Sequence, residues 1–247
     1  MTVERAAEIL SSAKKGVAFT GAGASADSGI PTFRGVGALW SEYDPVKVAS
    51  IDSFLRDPSA YWAVSRERGS IAIAARPNPG HYALAALEAA GRLIAIVTQN
   101  TDGLHQESGC SRVLELHGSS RTVQCLDCGM REPRAAVQAR LAVQLPPICQ
   151  ACGGVFLKPT VVLFGEPLPP AAVQDAFALA RDADVMVVVG SSLVVHPAAD
   201  IPLAAVRSGA TLIIINAEPT PFDSLAEVVI HGRAAEVLPE ILKLTGA

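Results

Sequence analysis

The 247-residue chain has no basic excess: 20 Lys and Arg stand against 24 Asp and Glu, a formal net charge of −4. General nucleic-acid binders carry a basic face, so no direct nucleic-acid binding is expected. Basic protein partners stay compatible with this balance. Long apolar runs are missing too. Runs such as "DVMVVVG" and "TLIIIN" are far too short to cross a bilayer, so no membrane association is expected. No basic stretch followed by an apolar one opens the chain, so no signal peptide is read and a cytoplasmic protein is expected. Internal repeats and low-complexity tracts are absent. Half of the residues are hydrophobic. That is enough to bury a substantial core in one large domain, or in a domain with a module.

Periodicity supplies the organisation. Val3 to Ala13 has helical spacing, and "GVAFT" (Gly16 to Thr20) reads as a short buried strand. "HYALAALEAAG" reads as a helix capped by Gly91, followed by a strand within Arg92 to Asn100. "DVMVVVG" and "TLIIIN" are β-branched without alternation, the mark of strands covered on both faces. A helix is expected near Ala198 to Ser208, and another over "AAEVLPEILKL", where Pro239 could introduce a kink. Alternating strands and helices predict an α/β fold with a doubly wound parallel sheet. Two segments break the rhythm: residues 35–79, read as a helical insertion, and residues 121–156, read as a small module. The larger part is then 1–34, 80–120 and 157–247.

Four constellations carry chemistry. "FTGAGASADSGIPTFRG" follows a predicted strand and opens as a G-x-G-x-x-G loop with Ala26 in the third glycine place. Such a loop lets backbone N–H groups approach a pyrophosphate, although a tight turn without ligand is the alternative. The acidic residue expected about 20 positions on is missing, so this is not an ordinary dehydrogenase half. Cys125, Cys128, Cys149 and Cys152 form C-x2-C-x20-C-x2-C, which suits a closed, structural zinc site better than disulfides or redox pairs. Cys110 reads as an ordinary thiol. "TQNTDGLHQESG" delivers Gln99, Asn100 and Asp102 from a strand end. These could read a ribose or carboxamide, or simply cap the strand. "LELHGS" places His117 after a short strand, either as a general base or as a packed ring. His81, His105, His196 and His231 have weaker claims. Ser191, Ser192 and Asn216 follow two strong strands and suit hydroxyl contacts.

Together, "GAGAS" with "SGIPTFRG", "QNTDGLH", "LHGS", the paired CxxC, "FGE", "GSSL" and "INAEPT" resemble the sirtuins of bacterial and archaeal type, the NAD-dependent protein-lysine deacylases. The motifs appear in family order across nearly the whole chain. The resemblance implies one catalytic domain over 1–247, a Rossmann-like large domain with a small domain made of a zinc-binding module and a helical insertion. It implies an enzyme that consumes NAD as co-substrate, holds one structural Zn2+ and acts on acyl-lysine proteins or peptides. It assigns Gly21, Ala22, Gly23, Ser25, Thr32, Phe33, Arg34 and Trp40 to the cofactor loop. Gln99, Asn100, Thr101 and Asp102 would serve the ribose and nicotinamide pocket. Gly190, Ser191, Ser192, Asn216, Ala217, Glu218 and Ala234 would face the adenosine half. Catalysis falls to His117 as general base and to Asn100. Val162, Phe164, Gly165 and Glu166, with Leu193 and Val194, would flank an extended peptide. In the implied reaction the acyl oxygen attacks the ribose as nicotinamide leaves. His117 then takes a proton from a ribose hydroxyl, and the products are free lysine, nicotinamide and O-acyl-ADP-ribose.

Two departures bear on the acyl group. Thr32 stands where most of the family has Asp. One branch removes acidic acyl groups with a Tyr-x-x-Arg pair in the insertion, and those positions fall on Ser65 and Arg68, so the tyrosine is absent; a shifted alignment uses Arg66. Deacetylation is therefore the primary expectation. Acidic-acyl removal, mono-ADP-ribosyl transfer and a non-catalytic NAD-sensing scaffold are the alternatives. The sequence leaves the oligomeric state unassigned.

Overall fold

The computed structural model describes residues 2–32 and 44–246. Six parallel strands form the main sheet: β1 (Gly16–Thr20), β2 (Leu93–Thr98), β3 (Val113–Glu115), β7 (Val185–Val189), β8 (Thr211–Ile215) and β9 (Val228–Ile230). Their spatial order is β3-β2-β1-β7-β8-β9. Counted within this sheet alone, that is the 3-2-1-4-5-6 order of a dinucleotide-type doubly wound fold. The order reverses between β1 and β7, which pair directly from Gly16↔Val185 to Thr20↔Val189.

The unbroken β-branched runs are explained by what covers them. Val185, Val187 and Val189 of β7 turn to one face. There they join Ile213 and Ile215 beneath helices α1 (Thr2–Ser12), α5 (Pro79–Ala89) and α10 (Ala234–Thr245). Met186 and Val188 turn to the other face and pack with Leu212 and Ile214 under α8 (Pro170–Asp182) and α9 (Asp200–Arg207). Neither face meets water, so neither needs polar residues. Each such side chain contributes about 1.5–3 kcal/mol by burial. Helix α10 continues through Pro239 as a single element.

Between β3 and α8 lies a three-stranded antiparallel sheet, ordered β5-β4-β6, from β4 (Gly118–Cys125), β5 (Arg131–Pro133) and β6 (Leu157–Val161). It packs with α7 (Arg134–Arg140) against the insertion helices α2 (Pro45–Ala49), α3 (Ile51–Arg56) and α4 (Pro58–Ala74). Their shared core holds Phe54, Trp62, Val123, Val137, Leu141, Leu157 and Leu163. Trp62 is fully buried, and its indole N–H donates to the Leu157 carbonyl at 2.9 Å. A short helix, α6 (Leu104–Glu107), follows β2.

The small sheet begins and ends beside the large one. Gly118 pairs with Val161, so the residues just outside this pair, His117 and Val162, are neighbours, and the Val162 N–H donates to the His117 carbonyl at 2.8 Å. Gly118 has φ +70°, and a Cβ there would collide with the Thr160 carbonyl oxygen. Only glycine lets the two strands close at that point.

Candidate functional site

Open α/β sheets bind ligands beyond the carboxyl ends of their strands, where the strand order reverses. At that place Gly21 and Gly23 follow β1, and Gly190 follows β7. The Gly23 N–H donates to the Gly190 carbonyl at 2.8 Å. A Cβ on Gly23 would lie 2.8 Å from the Gly190 Cα, and one on Gly190 would strike the Ala24 nitrogen. The floor of the crevice is therefore backbone against backbone. The loop does not run into an α-helix, as a G-x-G-x-x-G turn predicts. Residues 22–28 form a 3-10 helix that ends at Gly29 (φ 80°), and Pro31 then blocks any extension. Ala22 and Gly23 are half-buried, Ser25 is buried, and Thr32 is half-buried. Phe33, Arg34 and Trp40 lie outside the described residues.

A buried polar network fixes this loop. Asn100 Nδ2 donates to the Gly21 carbonyl and to Ser25 Oγ, both at 3.0 Å. Ser25 Oγ donates to Asp102 Oδ2 at 2.7 Å, and Asp102 Oδ1 accepts the Leu104 N–H at 2.9 Å at the start of α6. His81 closes the network from the side. Its Nδ1 accepts the Asn78 N–H at 3.3 Å in a capping box at the start of α5, which leaves Nε2 to carry the proton 3.4 Å from Ser25 Oγ. Asn78 reaches the loop as well, donating from Nδ2 to the Ala24 carbonyl at 2.9 Å. Asn100 Nδ2 and Asp102 Oδ2, expected at a ribose pocket, thus engage the loop. His81 and Asn78, given weak or no claims from the sequence, are central to holding it. The signal that could have found them was the pairing of an N-cap Asn with a His three residues on.

Gln99 crosses the switch point: its Nε2 donates to Ser191 Oγ at 2.9 Å, and the same oxygen accepts the Leu193 N–H at 3.3 Å. The Gln99 carbonyl lies 2.9 Å from His117 Nδ1. A carbonyl only accepts, so Nδ1 carries the proton and Nε2 is left as the free lone pair. Burial holds the His117 pKa below the usual imidazole value, partly opposed by this hydrogen bond. The ring is neutral near pH 7 and able to accept a proton at Nε2. Thr101 is half-buried, and its carbonyl accepts from Ser120 through both N–H (2.8 Å) and Oγ (2.7 Å).

The other expected positions separate into facing and packed groups. Ser192, Ala217 and Glu218 are exposed near the ends of β7 and β8, and Asn216 donates to the Glu218 carbonyl at 2.7 Å. Ala234, the first residue of α10, is buried in the core. Phe164 and Val194 are nearly half exposed, whereas Leu193 is buried with φ 55°. Val162 is half-buried, Gly165 is exposed, and the Glu166 carboxylate turns back onto its own loop. Ser65 sits where the insertion meets the small module: its Oγ accepts from Arg134 Nη1 at 3.0 Å and its carbonyl from Nη2 at 2.8 Å. Arg68, a turn further along, is half-buried.

The four paired cysteines converge, with all Sγ atoms within 4.8 Å of one another. Cys125 to Cys152 and Cys128 to Cys149 are both 3.7 Å. Four thiolates at Zn–S distances near 2.3 Å form a tetrahedron whose edge is about 3.8 Å, and a disulfide needs about 2.05 Å. The spacing suits a zinc ion with no open position for water. Cys110 stands apart, buried, with burial pushing its thiol up to about 11.

Comparison with known proteins agrees with this architecture. The chain is 50% identical over 241 residues to the NAD-dependent protein deacylase 2 of Archaeoglobus fulgidus, covering 98% of this chain and 95% of that protein. Among solved structures it resembles a Sir2 protein with a deacetylated p53 peptide and 3'-O-acetyl ADP ribose (TM-score 0.94, 36% identity, 98% of both chains). It also resembles one bound to a myristoylated histone peptide (TM-score 0.84, 43% identity, 99% of this chain and 96% of that one). The profile of the Sir2 family matches residues 21–197, and the chain belongs to that family.

Proposed function

We propose that this protein is an NAD-dependent protein-lysine deacylase acting on acetyl-lysine, with His117 as the general base. The observation that carries the reading is the His117 ring itself. Gln99 holds Nδ1 protonated at 2.9 Å, burial keeps the ring neutral, and the His117 carbonyl accepts the Val162 N–H at the entrance to the 162–166 loop. NAD supplies a ribose carbon bearing nicotinamide as leaving group. The chain supplies the setting: Gly21, Gly23 and Gly190 admit the phosphates, Asn100, Asp102 and Gln99 border the ribose, and loop 162–166 with Val194 receives the peptide as an added strand. His117 Nε2 accepts the ribose hydroxyl proton, a step that typically contributes about 10²–10⁴-fold. No protein nucleophile is required, because the acyl oxygen attacks the sugar. The four cysteines hold one zinc and support the small domain. No described helix is long and apolar enough to cross a membrane.

The relatives support acyl-lysine as substrate, since one is named a deacylase and two are solved with peptides once or still acylated. The test is nicotinamide release that depends on an acetyl-lysine peptide, with O-acetyl-ADP-ribose identified by mass spectrometry. ADP-ribosylated protein as the product would replace this reading with mono-ADP-ribosyl transfer. Tight NAD binding without peptide-dependent turnover would replace it with a sensor. A panel of acetyl, propionyl, succinyl and long-chain acyl peptides ranks the acyl groups. Succinyl should rank low, because Ser65 is engaged by Arg134 and no tyrosine stands there.

A further inference from the structure

Lys158 is an unusual residue to find inside the small domain. It lies on β6 opposite Gln124 and is 7% exposed. Its ammonium makes two bonds, to the Val161 carbonyl at 2.7 Å and to Glu166 Oε2 at 2.8 Å. The same Oε2 accepts the Leu163 N–H at 2.8 Å. Around these, the Val162 N–H donates to the His117 carbonyl, the Phe164 N–H to the Ala49 carbonyl and the Ile51 N–H to the Phe164 carbonyl, at 2.8, 2.9 and 3.0 Å. Leu163 is buried in the small-domain core while Phe164 faces out. A short surface loop is thus tied at its entrance, middle and exit, and one ammonium joins entrance to exit.

Stability is a poor explanation for such a pair. Buried ion pairs can often be replaced by apolar residues without loss, because desolvation offsets their attraction. An apolar side chain would fill the same space but would hold neither the Val161 carbonyl nor the carboxylate. The ammonium offers three donors from one point and so can hold two acceptors on opposite sides of a turn. We propose that Lys158, by bridging the Val161 carbonyl to the Glu166 carboxylate, is the positioning residue that shapes the 161–166 loop for the acyl-lysine peptide. Glu166 then serves as the far end of that strut, not as a charge presented to the peptide. The inference rests on the deacylase reading and names the residue that sets peptide affinity within it.

The experiment compares wild-type protein, Lys158→Met and the double variant Lys158→Met/Glu166→Gln, measuring KM separately for an acetyl-lysine peptide and for NAD, with thermal melting alongside. A displacement of about 1 Å at such a surface can cost on the order of 10²-fold. Lys158→Met should therefore raise the peptide KM by roughly tenfold or more, with the NAD KM close to wild type. The double variant leaves no unpaired buried charge. It should recover the wild-type melting temperature and keep the raised peptide KM. A double variant with wild-type peptide KM would overturn the proposal, as would KM values for peptide and NAD rising together in step with lost melting temperature. A wild-type protein without peptide-dependent turnover would instead remove the deacylase reading, and this inference with it.

Discussion

Lowering the pH from about 7.5 to about 5 should destabilise the fold by about 2 kcal/mol through His105 alone. The ring is 1% exposed. Its Nε2 lies 2.9 Å from Thr20 Oγ1, whose own proton is donated to Thr98 Oγ1 at 2.7 Å. The histidine must therefore donate through Nε2, and Nδ1 is the basic nitrogen, buried without a hydrogen-bond partner among the described residues. Burial, with the His81 ring 4.9 Å away as a second cause, pushes the His105 pKa down to about 3. In the unfolded chain an imidazole titrates near ~6.5. The unfolded state then binds more protons across the interval between these values. Stability is complete above the unfolded value and falls on acidification by about 1.4 kcal/mol per pH unit. One and a half units below that value give the stated loss. His81, lowered chiefly by burial and partly restored by Asp102, acts in the same direction. Urea unfolding followed by circular dichroism at about pH 7.5 and about pH 5 reads the effect as a shift in midpoint. His105→Gln keeps a donor for Thr20 and cannot titrate, so it should be weaker at neutral pH but flatter with pH. A wild-type midpoint that does not move, or a variant whose pH profile runs parallel to wild type, would refute the reasoning.

Other outcomes follow from the site. His117→Ala should lower turnover by about 10²–10⁴-fold with the melting temperature kept; wild-type rates would remove the base. The rate should rise with pH through the His117 pKa, below the ordinary imidazole value, and level off by neutrality, because the neutral ring is the active form. Gly190→Ala should cost about 1–3 kcal/mol by overpacking alone and abolish NAD binding, since the new methyl group meets Gly23 and Ala24; calorimetric binding and melting both report it. Metal analysis should find one zinc per chain, and chelation should melt the small domain; freshly purified protein without metal would remove the claim.

The central strands β1, β7 and β8 were legible because they are buried on both faces, which leaves a run without polar alternation, whereas the half-exposed edge strand β9 carries no such mark and was not read. The zinc site was legible because two tight pairs encode their own geometry. Other features depend on contacts distant in sequence. Nothing near His105 marks it as the partner of Thr20, and nothing near Lys158 marks a ladder position whose ammonium reaches round a turn to Glu166. The glycine loop was legible as a turn after β1, but its 3-10 course over Ala22–Ser28 and its ending at Gly29 were not. Ser65 was read by position along a helix, whereas its occupation by Arg134 is set by a module elsewhere in the chain.

The pairing of Gly118 with Val161 also constrains the order of events during folding. His117 and Val162 are brought together only when the chain between them has closed into the antiparallel sheet. The nucleotide crevice, built from β1, β2 and β7, carries no such requirement. A refolding chain should therefore regain NAD binding before activity, and recovery of activity should keep pace with zinc uptake. Closure of the small sheet is in that sense the step that joins His117 to the 162–166 loop.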